Sequence, residues 1–250
     1  MNQETFQTFL WVMSAVALVV FIALYFVKAG YGMFRTASWG ISINNKLAWV
    51  LMEAPVFIVM FGLWGKSGAG FAVPVYFFFL LFQLHYLQRA FIFPFLLKVA
   101  IMAMGIVFNL LNGMMQAGGL FYFAPEGLYA DGWAYLLKPH ALLGVILFFA
   151  GMFINLHSDY VIRHLRKPGD TKHYLPGKGL YRYVTSANYF GELVEWTGFA
   201  ILTASPAAWV FVWWTFANLV PRADAIHCHY REEFGDEAVG KRKRIIPFLY

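Results

Sequence analysis

The sequence predicts an all-α membrane protein, a bundle of seven transmembrane helices with its N-terminus outside and its C-terminus cytoplasmic. Three observations carry this expectation. Apolar residues make up 60% of the 250 positions and charged residues only 13%, whereas a soluble domain carries about 25% charged residues. Apolar stretches approaching the roughly 20 residues that cross a bilayer recur along the whole chain. Basic residues gather in every second connection between those stretches.

In chain order the stretches run Thr8 to Val27, Leu47 to Trp64, Phe71 to Leu87, Lys98 to Gln116, Ala141 to Leu156, Tyr189 to Thr203, and Ala207 to Leu219. The last two are parted only by Ala204, Ser205 and Pro206, a break that reads as a helical hairpin. The first follows a polar, acidic start (Asn2, Gln3, Glu4) with no basic n-region, so it reads as a retained helix and not as a signal peptide. With seven crossings, Lys28, Arg35 and Lys46, then Arg89 and Lys98, then Arg163 to Arg182, then Arg222 to Arg244 fall on one side. The positive-inside rule makes that side cytoplasmic. The other side receives only Glu4, Lys66, Glu126, Asp131 and Lys138, and an even number of crossings breaks the pattern. Residues 1–250 are expected to form a single domain.

The lone cysteine, Cys228, excludes an intrachain disulfide and any multi-cysteine zinc site. The formal charge of +6 is not laid out as a basic stripe interleaved with aromatics, so membrane lipids, and not nucleic acid, are the expected partners. His227, Cys228 and His229 do not share a helical face and no second ligand pair accompanies them, so no metal ligands are assigned.

Polar residues inside apolar spans point to function, because an acidic side chain near a helix centre costs about 2.5 to 3.5 kcal/mol on insertion scales. Glu53 lies in the second span. It either faces a cavity or sits at the headgroups near Lys46. Tyr86 and Arg89, three residues apart at the end of the third span, share a face and form an acid-base kit or an ordinary interfacial belt. Asn155, Asp159, Arg163 and Arg166 lay a polar ridge along the fifth span, and Asn188, Glu192 and Glu195 repeat it at the start of the sixth. Arg163, Arg166 and Arg182 are candidate counter-charges for the two glutamates; otherwise the ridges are a ligand site. Neither a GxGxxG turn after a strand nor a Walker sequence occurs, so any nucleotide must be held by helices. The basic run Lys241 to Arg244 reads as a solvated or headgroup-facing segment.

The strings LHYLQRAFIFP at 84–94, GMFINLHSDYVIRHLRKPG at 151–169 and GLYRYVTSANYFGELVEWTGFA at 179–200 resemble the steroid 5α-reductase family. The likeness extends to Tyr31 with Gly32, to Glu53-Ala54-Pro55 and to the closing IIPFLY. It implies a seven-helix bundle enclosing NADPH on the cytoplasmic side, with a 3-oxo-Δ4 steroid entering from lipid; the chain itself is expected to be a monomer in a bacterial inner membrane or the endoplasmic reticulum. By the same likeness Glu53 and Tyr86 hold the steroid 3-carbonyl, while Asn155, Asp159, Arg166, Asn188, Glu192, Arg222 and Tyr230 line the cofactor, joined by Tyr31, Arg89, Trp196 and His227. Two positions depart from the pattern. Met52 stands where mammalian members place a glutamine, and Leu97 about where they place a cofactor-holding asparagine. The clustered arginines favour NADPH over NADH, since guanidinium groups match a 2′-phosphate. Rival readings are a related enoyl, sterol or polyprenal reductase, an isoprenylcysteine methyltransferase using S-adenosylmethionine, and a seven-helix receptor or transporter.

Overall fold

The computed structural model describes residues 1–27, 45–92, 103–166, 170 and 172–250. These are mainly helical, with no strand among the described residues beyond one parallel bridge between Val184 and Lys243. The long helices are α1 (Gln3–Phe26), α2 (Asn45–Ser67), α3 (Val75–Leu87), α4 (Ala103–Ala117), α6 (Pro139–Arg163), α7 (Ala187–Thr203) and α8 (Pro206–Phe234); α5 (Trp133–Leu136) and α9 (Asp236–Val239) are single turns. Each π-helical turn, Gln88–Ile92 after α3 and Gly118–Tyr122 after α4, extends its helix.

Helix ends follow local chemistry. The Asn2 side chain caps α1 by accepting from the Thr5 amide at 2.8 Å. Pro139 and Pro206 occupy first-turn positions of α6 and α8, where a missing N–H costs nothing. The last carbonyls of α7, at Leu202 and Thr203, accept from the hydroxyls of Tyr135 (3.0 Å) and Tyr129 (2.6 Å), which satisfies otherwise orphaned acceptors.

Gln3–Phe26, Trp49–Ser67, Val75–Ile92 and Pro139–Arg163 are long and apolar enough to cross a membrane. The other three predicted spans carry helices that depart from that pattern for visible reasons. Helix α4 with its π turn runs from Ala103 to Tyr122 but carries the amides Asn109, Asn112 and Gln116, which lower its hydropathy, and α7 has 17 residues, at the lower limit of a crossing. Helix α8 has 29 residues, but its second half is polar and charged. The third span also differs from expectation, because its helix begins at Val75 and leaves Phe71 outside.

The distribution of polarity in α4 identifies the solvent. Its exposed residues include Met104, Val107 and Met114, while Asn109, Asn112 and Gln116 are buried. A soluble helix turns amides outward and aliphatics inward. Helix α4 does the reverse, as lipid surroundings favour.

Within the bundle α6 packs most extensively on α7, α2 on α4 and α1 on α8. The α6–α7 contact is a glycine seam. A methyl group on Gly151 would meet the Glu195 backbone nitrogen at 2.2 Å, and one on Gly198 would meet that of Phe148 at 2.4 Å. Gly144 and Gly191 are equally tight, each 2.5 Å from facing backbone. Small residues of this kind let membrane helices approach to backbone contact. The seam brings the polar ridge of α6 against that of α7.

The basic run, expected to be solvated or headgroup-facing, has exposed or partly exposed side chains and is tied to the bundle through its backbone. Lys243 and Arg244 carbonyls accept from the Thr185 and Ser186 amides at 2.9 and 3.1 Å, Arg244 pairs with Asp224, and Ile245 is fully buried.

Candidate active site

Helix α4 organises one half of the site. Its buried amides Asn109, Asn112 and Gln116 are spaced by three and four residues and therefore share one face. Asn109 donates to the Met52 carbonyl at 2.7 Å and to Glu53 Oε2 at 3.3 Å. Pro55, inside α2, lacks an N–H and so leaves the Leu51 carbonyl without its helical donor close to Glu53. One turn further along α4, Asn112 donates to the Tyr86 hydroxyl at 3.1 Å. Gln116 completes the ladder, donating to Asn112 Oδ1 at 3.3 Å and to the Ala207 carbonyl at 3.0 Å. Glu53 and Tyr86 thus meet adjacent rungs on one helical face. The charges acting on Tyr86 are those of Glu53, Glu192 and Arg89.

Helix α3 and its π turn carry the basic side chains that face the other half. Arg89 Nη1 lies 3.7 Å from Asp159 Oδ2 and its Nη2 3.6 Å from Glu192 Oε2. Its guanidinium also sits 5.5 Å from the Trp49 ring centroid. His85 Nδ1 is 2.7 Å from Glu195 Oε1, and both side chains are buried. The α7 glutamates are therefore compensated from α3, and not from Arg163, Arg166 and Arg182 as the sequence allows. Arg163 donates instead to the Asp159 backbone carbonyl at 3.3 Å, and Arg166 and Arg182 are exposed. The physical reason is depth: the seam sets Glu192 and Glu195 against α3 inside the bundle, beyond reach of the loop.

Across the seam Asn155 donates to the Asn188 carbonyl at 3.0 Å, Asn188 donates to Asp159 Oδ1 at 3.3 Å, and the Tyr181 hydroxyl donates to Asn188 Oδ1 at 3.3 Å. Asp159 Oδ2 and Trp196 Nε1 are buried without a hydrogen bond among the described residues. Trp196 forms the wall between the halves, its ring 4.5 Å from His85 and 5.9 Å from Tyr86.

The remaining candidates lie on the polar extension of α8. The Arg222 guanidinium stands 5.5 Å from the Tyr189 ring. Tyr230 is buried, and burial pushes its phenol up to about 12, so it remains a neutral donor at physiological pH; Arg166 is near enough to act on it electrostatically. His227 is buried with Nδ1 3.3 Å from Thr185 Oγ1, against the C-terminal tail. Tyr31 and Leu97 lie outside the described residues. Cavities of about 260 and 280 Å³, the first beside His157 and Tyr183 and the second beside Leu193 and Phe216, are lined by none of the sequence candidates.

Sequence reasoning missed Asn109, Asn112, Gln116 and Tyr181. The signal for the first three was present, since three amides at helical spacing inside an apolar span are costly unless they face partners.

The family model of 3-oxo-5-alpha-steroid 4-dehydrogenase matches residues 95–250. The chain is 36% identical over 262 residues to a steroid 5-alpha-reductase of Gossypium hirsutum, covering all of this chain and 99% of that relative. It is also 36% identical to 3-oxo-5-alpha-steroid 4-dehydrogenase 1 of Bos taurus, with 94% of this chain and 93% of the relative covered, and of Homo sapiens, with 94% and 92%.

The chain belongs to the 3-oxo-5-alpha-steroid 4-dehydrogenase family. This family consists of oxidoreductases. The segment matched by the 3-oxo-5-alpha-steroid 4-dehydrogenase model holds the amide ladder of α4 and every candidate on α6, α7 and α8. Glu53, Tyr86 and Arg89 precede it, within the region shared with the full-length relatives.

Proposed function

We propose that this chain is a multi-pass membrane reductase of seven crossings that uses NADPH to reduce the C4–C5 double bond of a 3-oxo-Δ4 steroid, entering from lipid, to the 5α-dihydrosteroid. We place it, as a monomer, in a bacterial inner membrane or the endoplasmic reticulum, with its C-terminus cytoplasmic. The observation that carries the reading is the pairing of Glu53 and Tyr86 on adjacent rungs of the α4 ladder, next to the Arg89, Asp159 and Glu192 cluster.

The residues present fit a dinucleotide. Asp159 Oδ2 is a buried acceptor without a hydrogen-bond donor among the described residues, suited to a carboxamide N–H or a ribose hydroxyl. Asn155, Asn188 and Glu192 supply further donors and acceptors beside it, while Arg166 and Arg222, toward the cytoplasmic end, suit phosphates. Tyr230, His227, Tyr31 and Trp196 complete the proposed lining. NADPH, when bound, supplies the hydride that adds to C5.

The chain's own part is to receive the charge this addition displaces. As the C5–H bond forms, the conjugated π electrons move onto the 3-oxygen, and Tyr86 and Glu53 stabilise that enolate by hydrogen bonding. Tyr86 accepts from Asn112, which leaves its own hydroxyl hydrogen for the substrate oxygen. A neutral Glu53, held by Asn109, donates as the second group. Water then delivers a proton to C4 and the ketone re-forms. Donors fixed beforehand in a dry site contribute about 10² to 10³ in rate each.

The test follows absorbance at the reduced nicotinamide band, with testosterone or progesterone added to the purified protein in lipid nanodiscs. Steroid-dependent oxidation of NADPH is expected, with much weaker use of NADH, and Glu53→Gln or Tyr86→Phe should lower kcat by about a hundredfold or more. Full turnover in both variants, or none with any 3-oxo-Δ4 steroid, overturns the reading.

A further inference from the structure

On the cytoplasmic extension of α8, beyond Tyr230, three side chains that the reductase chemistry does not use converge. His229 and Glu233 are four residues apart on one face of the helix, with His229 Nε2 3.2 Å from Glu233 Oε2. His173 reaches the same carboxylate from the irregular segment 172–177, its Nδ1 2.8 Å from Glu233 Oε1. One ligand atom from each lies within 4.8 Å of the others. We propose that His173, His229 and Glu233 form a binding site for a divalent transition-metal ion of the zinc type, which clips this segment to α8.

Two imidazoles and a carboxylate form a borderline nitrogen and oxygen donor set, suited to zinc, cobalt, nickel or copper and unsuited to magnesium or calcium, which take oxygen ligands. Tetrahedral zinc with bonds of about 2.0 to 2.1 Å sets its ligand atoms about 3.3 Å apart. The two histidine nitrogens stand 2.8 and 3.2 Å from the carboxylate, slightly inside that spacing, so small side-chain rotations admit the ion. The approach of His173 is held locally: Asp170 accepts from the Lys172 amide at 2.9 Å and from the Tyr174 hydroxyl at 2.8 Å, bracketing His173. All three ligands are partly accessible, leaving water to fill the fourth position. A helix alone could not make the site, since α8 supplies only two ligands. The third comes from 56 residues away in sequence, which is why the spacing of His227, Cys228 and His229 conceals it.

The full chain, purified in nanodiscs and stripped with chelator, is titrated with Zn²⁺ by calorimetry and with Co²⁺ by visible absorption. About one equivalent should bind at micromolar concentration with tetrahedral-type cobalt bands, and His173→Ala or Glu233→Gln should weaken binding on the order of tenfold or more. Cys228→Ser should leave binding intact. Zn²⁺ should also slow tryptic cleavage after Lys172 in the unaltered protein but not in His173→Ala. Binding no tighter than millimolar, binding unchanged in His173→Ala, or binding lost in Cys228→Ser overturns the site. None of these readouts depends on steroid turnover, so failure here and failure of the reductase reading remain distinct.

Discussion

Asn112 is the residue on which the orientation of Tyr86 rests. Its Nδ2 donates to the phenol and its Oδ1 accepts from Gln116, so the amide has a single orientation that satisfies both ends. Replacing it by the near-isosteric leucine removes the donor while filling the space, and Gln116 keeps its bond to the Ala207 carbonyl. Asn112→Leu should therefore lower kcat by about tenfold to a hundredfold, because a phenol free to rotate is no longer fixed beforehand as a donor to the 3-oxygen. Cofactor affinity and thermal stability should barely move. An unchanged kcat would mean that Tyr86 needs no positioning from α4. At this scale Glu53, Tyr86, Arg89, Asp159 and Glu192 were legible in the sequence, because a polar group inside an apolar run must be compensated. Their partners were not. Spacing along a helix fixes which residues share a face but not what the face meets, and the glutamates of α7 meet α3 instead of the basic loop.

The α6–α7 pair is the element that holds the two polar ridges together, and its glycines set the distance. Gly144 and Gly151 on α6 and Gly191 and Gly198 on α7 are each seven residues apart, so each pair returns to the same face after two turns. Gly151→Ala places a methyl 2.2 Å from the Glu195 amide nitrogen, a backbone atom that cannot step aside. The helices must separate, at a cost of about 1 to 3 kcal/mol or more. Melting temperature and nicotinamide retention should fall together in Gly151→Ala, whereas Gly65→Ala, with nothing within 4 Å, should leave both unchanged. Equal melting of the two variants would show that the seam tolerates a wider spacing. Apolar runs foretold most helices, yet not the late start of α3 at Val75 or the π turns after α3 and α4, which are decided by packing.

Across the whole molecule, the C-terminal tail closes one end of the bundle by joining α8, α9 and the turn before α7. His227 stands at that junction, where burial first, then the charges of Arg244 and Arg231, hold its imidazole below the ordinary value. The folded state keeps it neutral, so on acidification the unfolded chain takes up the proton first. Its contribution to stability is intact above about pH 6.5 and is lost progressively as pH falls below that. The melting temperature in nanodiscs should drop between about pH 7 and 5.5, and His227→Gln should flatten that slope; an unaltered slope would assign the effect to other groups. The sequence by itself determined the apolar surroundings, the helical class, the family likeness and the polar residues that must find partners inside the bundle, because composition and the cost of buried charge act position by position. Only the tertiary structure decided that α4 supplies the amides for Glu53 and Tyr86, that α3 and its π turn pair with the glutamates of α7, and that His173 reaches α8. Those are choices among helix faces, made by glycine contacts and amide geometry between segments far apart in the chain.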